Sequence, residues 1–196
     1  MAVGWHMQSC IASAFGTVLV ALVAAAPGPA QAEVLKFMRM CPGQKLCPFY
    51  ELVLKPPPNW IQDQAATKQN GVQVMVPRGK NFGNAPALMY VKISSRQDNQ
   101  PLEEFVRNSQ QRWRESVGDT KIERIADIDR SGGQPAYLSY RYENPSQPQQ
   151  RFEAVAFGID RDKEGNDFFV MVALTGRHKA EIDRAMAAYT AFLKAH

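Results

Sequence analysis

Residues 134–174 run QPAYLSYRYENPSQPQQRFEAVAFGIDRDKEGNDFFVMVAL, three apolar runs joined by two polar turns. Ala136, Leu138, Tyr140 and Tyr142 alternate with Tyr137, Ser139 and Arg141, the period of two that marks a strand burying one face. A turn rich in Pro, Ser, Asn and Gln follows over 143–150. From Phe152 to Ile159, Phe, Ala and Ala alternate with Val, Phe and Ile, so both sides of that strand are apolar. Phe168–Leu174 (FFVMVAL) also lacks a polar side. Strands of this kind belong in the middle of a sheet that is covered on both faces. The stretch therefore predicts a layered α+β domain.

The helices lie on either side of this core in sequence. Ile182, Ala185, Met186, Tyr189, Phe192 and Leu193 share one face of a 3.6-residue repeat near the C-terminus. Upstream, Leu102, Phe105, Val106, Ser109, Trp113 and Val117 do the same. Pro101 suits the first turn of that earlier helix, Glu103 and Glu104 complement its dipole, and Gly118 ends it. Lys121–Ile128 (KIERIADI) carries Ile122 and Ile125 out of alternation, so a strand there requires a bulge or bend. Shorter strands are expected at Tyr50–Leu54, Gly71–Val76 and Leu88–Ile93. Pro56, Pro57 and Pro58 stop the first of them. Trp60, just after the stop, fits a core plug beneath a turn, with ligand stacking as the alternative.

The front of the chain has a different composition. Residues 1–32 contain no Lys, Arg, Asp or Glu, and Ile11–Ala26 is an apolar run of signal-peptide length, broken by Pro27, Gly28 and Pro29. Ala30-Gln31-Ala32 offers the small residues of a cleavage site, so 1–32 is expected to be a signal peptide and the mature chain to begin at Glu33. Against this, the first residues carry no basic side chain. The alternative is an uncleaved anchor tethering an envelope protein. Residues 33–49 then form an N-terminal arm and 50–196 the α+β domain. A periplasmic or secreted location follows, with no stable membrane insertion after cleavage.

The net charge of +4 is spread among interspersed acids and bases, which supports solubility and excludes a nucleic-acid footprint. Cys41 and Cys47 remain after cleavage. In an oxidising compartment two nearby cysteines point to a disulfide, a staple of about 2 kcal/mol on the arm. A redox pair or metal site is the alternative, although the spacing is not C-x-x-C and no His lies nearby.

Signals for chemistry are sparse. Asp160, Asp162 and Glu164 with Gly165 stand at positions 1, 3, 5 and 6 of a calcium loop, but position 12 is Met171, so a solvated hairpin turn is the better reading. No G-x-S-x-G, H-E-x-x-H or phosphate-cradling glycine loop is present, and no cofactor, metal or catalytic residue is expected. His178 is the one histidine placed for catalysis, the basis of an alternative reading as a small hydrolase or transferase. Arg177, His178 and Lys179 precede the last helix, where an anion could bind, or they are simply solvated. The loop 78–84 places Phe82 between Gly and Asn beside Arg78 and Lys80. With the loop 143–150 it is the candidate recognition surface, the alternative being that the Phe82 ring simply folds back onto the core.

Taken in order, ELVLKPPPNW, VQVMVP, PLEEFVRNSQQRWRES and FFVMVALTG with its following helix resemble the PsbP-like superfamily over about residues 50–194. The resemblance implies an antiparallel sheet flanked by two amphipathic helices, an α/β/α sandwich, and a binding or accessory role rather than catalysis. It carries over no partner-binding residues, and the CPGQKLC arm lies outside it. The expected partner is another envelope protein or a small ligand.

Overall fold

The computed structural model describes residues 33–41, 43 and 45–196. The expected signal peptide, 1–32, lies outside the described residues. Two strands, β1 (Glu33–Cys41) and β2 (Lys45–Val53), pair with each other as a separate antiparallel ribbon. The remaining strands are β3 (Trp60–Gln62), β4 (Gln73–Pro77), β5 (Ala87–Ser95), β6 (Lys121–Arg124), β7 (Leu138–Glu143), β8 (Phe152–Arg161) and β9 (Asp167–Gly176). They form one antiparallel sheet in the order β3-β4-β5-β9-β8-β7-β6. Its centre is the β8–β9 hairpin, paired from Phe152 opposite Gly176 to Arg161 opposite Asp167. The two runs apolar on both sides are thus central strands, as their composition requires.

Three helices cover the sheet: α1 (Gln64–Asn70), α2 (Leu102–Val117) and α3 (Lys179–Ala195). On one face Ile182, Tyr189, Phe192 and Leu193 of α3 pack with Val170, Val172 and Leu174, and the base of the ribbon adds Leu52 and Leu54. On the other face α2 packs Val106, Phe105 and Trp113 against Val155, Phe157 and Ala173, while Ala66 of α1 covers Val74 and Val76. The sequence pattern predicts two helices, and α1 is the addition. Seven residues are too few to show a helical period, and α1 is defined by its ends instead. Asp63 accepts the Ala66 N–H at 3.0 Å, and Gly71 closes the helix in the left-handed region at φ 65°.

Two strands depart from expectation. On β7 the apolar set Leu138, Tyr140 and Tyr142 faces α2, but Tyr137 and Ser139 on the opposite side are also buried. The Tyr137 ring lies beneath the Arg130 guanidinium at 4.4 Å and against Gly158, where an added Cβ would come within 2.6 Å of it. The bend expected within 121–128 is a break. The strand stops at Arg124, and Ile128 rejoins the sheet through a single bridge to Tyr137.

The arm expected over 33–49 is a paired ribbon, and β2 runs through residue 50 into the domain. Buried Gln73 fastens the ribbon's end, accepting from the Leu54 N–H at 3.0 Å and donating to the Leu54 carbonyl at 2.7 Å. The register sets Cys41 opposite Lys45 and Cys47 opposite Arg39, so the two cysteines are diagonal neighbours on one side. The side chain of Cys41 lies outside the described residues.

Candidate functional site at the loop end of the sheet

Three polar connections meet at one end of the sheet, on the face carrying α1 and α2. The first, 78–84, is fixed by Asp63, whose one carboxylate oxygen caps α1 while the other accepts the Phe82 N–H at 2.9 Å. These N–H groups, Ala66 before Phe82, hold the Asp63 carboxyl below its ordinary range. Asn81 and Asn84 bond each other's backbone at 2.9 and 3.2 Å and keep the loop tight. Phe82 is left 45% exposed at its tip.

The second connection, 143–150, is organised by Asn144. Its N–H donates to the Arg151 carbonyl at 2.7 Å and its amide to the Gln150 carbonyl at 2.9 Å, closing the loop on itself. Its side-chain oxygen accepts the Trp113 indole N–H at 3.1 Å, tying the loop to α2. The third connection, 176–178, leads from β9 into α3. Together they enclose a cavity of about 300 Å³, with Phe82, Pro86 and Leu88 on one wall and Gln147, Gln149 and Gln150 on the other. Thr175 and Arg177 also line it.

Beneath this end lies Glu153, 3% exposed and the one carboxylate in the apolar part of β8. It accepts from the Tyr90 hydroxyl at 3.2 Å and from the Asn144 amide at 3.4 Å. Burial raises its carboxyl to about 7, and the bonds from Tyr90 and Asn144 oppose the rise. Burial first, and then the adjacent Glu153 charge, push the Tyr90 hydroxyl well up, so it remains a donor. Thr175 is the cross-strand neighbour of Glu153 and favours its charged form, although no hydrogen bond of ordinary geometry reaches its buried hydroxyl oxygen. The chain Trp113–Asn144–Glu153–Tyr90 thus joins α2, the 143–150 loop, β8 and β5 behind the cavity.

The structure brings some of the expected site residues together and separates others. Phe82 and Arg177 share the loop-end cavity. Arg78 lines a different cleft of about 770 Å³ between Pro56–Pro58, Trp60 and Phe192, and Lys80 lines neither. Trp60 is a core residue, as its place after the prolines suggests, and its edge forms part of that cleft. The cluster at the start of α3 does not converge on an anion site. Glu181 accepts the His178 N–H at 3.0 Å, and Lys179 is paired to Asp183 at 2.7 Å. His178 is exposed at the helix cap.

The carboxylates of the 160–167 loop also diverge. Asp160 is buried against Arg130, Asp162 caps its own turn through the N–H groups of Glu164 and Asn166, and Asp167 bonds Arg96 and Arg161. Among the described residues no group of three His, Cys, Asp or Glu is placed to hold a metal. Glu153 and Asn144 escape sequence reasoning because each reads as an ordinary polar residue. The available signal is a lone Glu at the second position of an otherwise apolar strand, FEAVAFGI. No family model matches the chain, and no curated protein matches it.

Proposed function

We propose that this chain is a non-catalytic binding or accessory module of the PsbP-like type, periplasmic or secreted, with Cys41 and Cys47 joined as a disulfide. On this reading the loop-end cavity receives a short extended segment of another envelope protein. The observation that carries it is the convergence at one cavity of Phe82, three glutamines and Arg177. An aromatic ring supplies an apolar anchor, the glutamine amides match backbone N–H and C=O groups, and Arg177 suits a carboxylate. The loops that hold these side chains are tied by their own hydrogen bonds, so little ordering cost falls on binding. The resemblance in sequence pattern points the same way, towards recognition rather than turnover.

The test is site-specific crosslinking in cells producing the full chain with a photoreactive residue at Gln149. One predominant protein adduct is expected, and it disappears when Phe82→Ala and Arg177→Ala are combined. An adduct indifferent to both changes removes the cavity from the account. Esterase or phosphatase turnover abolished by His178→Ala supports the enzyme reading instead.

A further inference from the structure

The ribbon β1–β2 presents a surface that the loop-end site does not use. Its register sets Val34, Lys36, Met38 and Met40 opposite Leu52, Tyr50, Pro48 and Leu46 on one side. At the base of that side Val34 and Leu52 pack in the core, and the Tyr50 ring tilts against Phe168 at 4.9 Å. Towards the turn the same apolar stripe continues without cover: Met38, Met40 and Leu46 are 52, 63 and 64% exposed. On the other side Phe37 stacks with Phe49 at 6.4 Å, and Leu35 and Phe49 are each about two-fifths exposed. Elsewhere among the described residues Phe82 alone is a large hydrophobe this exposed. Nine residues per strand at about 3.3 Å each give a ribbon about 30 Å long, enough to carry its tip clear of the sheet.

Charge decides what covers such a surface. The ribbon's two acidic residues, Glu33 and Glu51, lie at its base, and beyond them, from residue 36 to 50, the chain carries Lys36, Arg39 and Lys45 and no Asp or Glu. The buried centre of a protein interface is depleted in lysine. Pro48 lacks the N–H that strand addition along β2 would use, so a second strand is poorly served there. Apolar side chains interleaved with cations are instead suited to an anionic bilayer. Methionine, leucine and phenylalanine enter the boundary between headgroups and acyl chains, while lysine and arginine meet the phosphates.

We propose that the β1–β2 ribbon docks the protein peripherally on an anionic lipid surface through one side, Met38, Met40 and Leu46 entering the interface and Lys36 meeting lipid phosphate. No described helix is long and apolar enough to cross a membrane, and this attachment needs none.

Hydrogen exchange of the full chain, with and without phosphatidylcholine vesicles containing phosphatidylglycerol, tests the proposal. Protection confined to 34–50 is expected with the anionic vesicles and absent with phosphatidylcholine alone. Vesicle affinity should fall about fivefold for Lys36→Gln. Met40→Ser with Leu46→Ser should abolish protection; both residues are exposed, so the sheet is untouched. Unchanged exchange at 34–50 with anionic vesicles overturns the proposal. So does protection that grows with protein concentration in the absence of lipid, which would mean that a second copy covers the ribbon.

Discussion

Glu153 places a carboxyl where the neighbouring residues of its strand are apolar, and the cost is visible in its proton affinity. Burial moves it from an ordinary 4.5 to about 7. Between those values the folded protein keeps a proton that the unfolded chain has released. The contribution to stability is therefore complete below pH 4.5 and is lost as pH rises through 7. The gap corresponds to about 3 kcal/mol. Glu153→Gln keeps the side chain's shape and an acceptor for Tyr90 but removes the titration. Urea unfolding at pH 5 and pH 8 should show the wild type losing stability relative to the Gln variant by roughly that amount. Parallel pH profiles for the two proteins would mean that the carboxyl is hydrated and the network behind the cavity is open to solvent. The Asn144 amide also bonds Glu153, so the same titration bears on how firmly the 143–150 loop is held.

The elements differ in how they are held, and this governs how each responds to change. In α2 only Val106 is fully buried, and docking depends on Phe105, stacked on Phe169 at 4.1 Å and edge-on to Phe157 at 6.3 Å. The ribbon is held at its base alone, so a staple near its tip acts locally. A Cys41–Cys47 disulfide closes a loop worth about 2 kcal/mol on the chain-entropy model. Reduction is therefore expected to speed hydrogen exchange across 41–47 while leaving β8 and β9 as protected as before. Equal exchange in both redox states would show that the cysteines are not joined. What was legible at this scale follows from how buried each element is. FFVMVAL and the 102–117 repeat announce themselves because one strand must be covered on both sides and one helix on a single side. The short α1 depends on a cap and a left-handed glycine, which carry no periodic signal. The loop-end cavity was half legible: Phe82 stands out in a polar loop and Arg177 at a helix start. Their meeting depends on Asp63 and Asn144, whose role is set by partners 19 and 31 residues away in sequence. The ribbon's exposed stripe was not legible, because LKFMRM and KLCPFY have the same apolar content whether covered or bare.

Across the whole molecule, the side chain of Arg130 closes the structure on the α3 face. It donates to the Ile159 carbonyl at 2.9 Å, to the main-chain oxygen of His196 at 2.7 Å and to the Asp160 carboxylate, and its plane covers Tyr137. One guanidinium thereby joins the connection after β6, the end of β8 and the end of α3. Both charges of the Arg130–Asp160 pair are buried. Such a pair adds little net stability, because desolvation offsets attraction, yet removing one partner strands the other charge. Arg130→Met should cost about 3–5 kcal/mol in urea unfolding. The last turn of α3 should exchange faster even under native conditions, since the bond to His196 is gone. Combining Arg130→Met with Asp160→Leu should recover much of the loss by removing the stranded carboxylate, while leaving the last turn of α3 loose. If the double variant is no more stable than the single, the contribution of Arg130 lies in its cover of Tyr137 and its carbonyl bonds, and the ion pair is incidental to the fold.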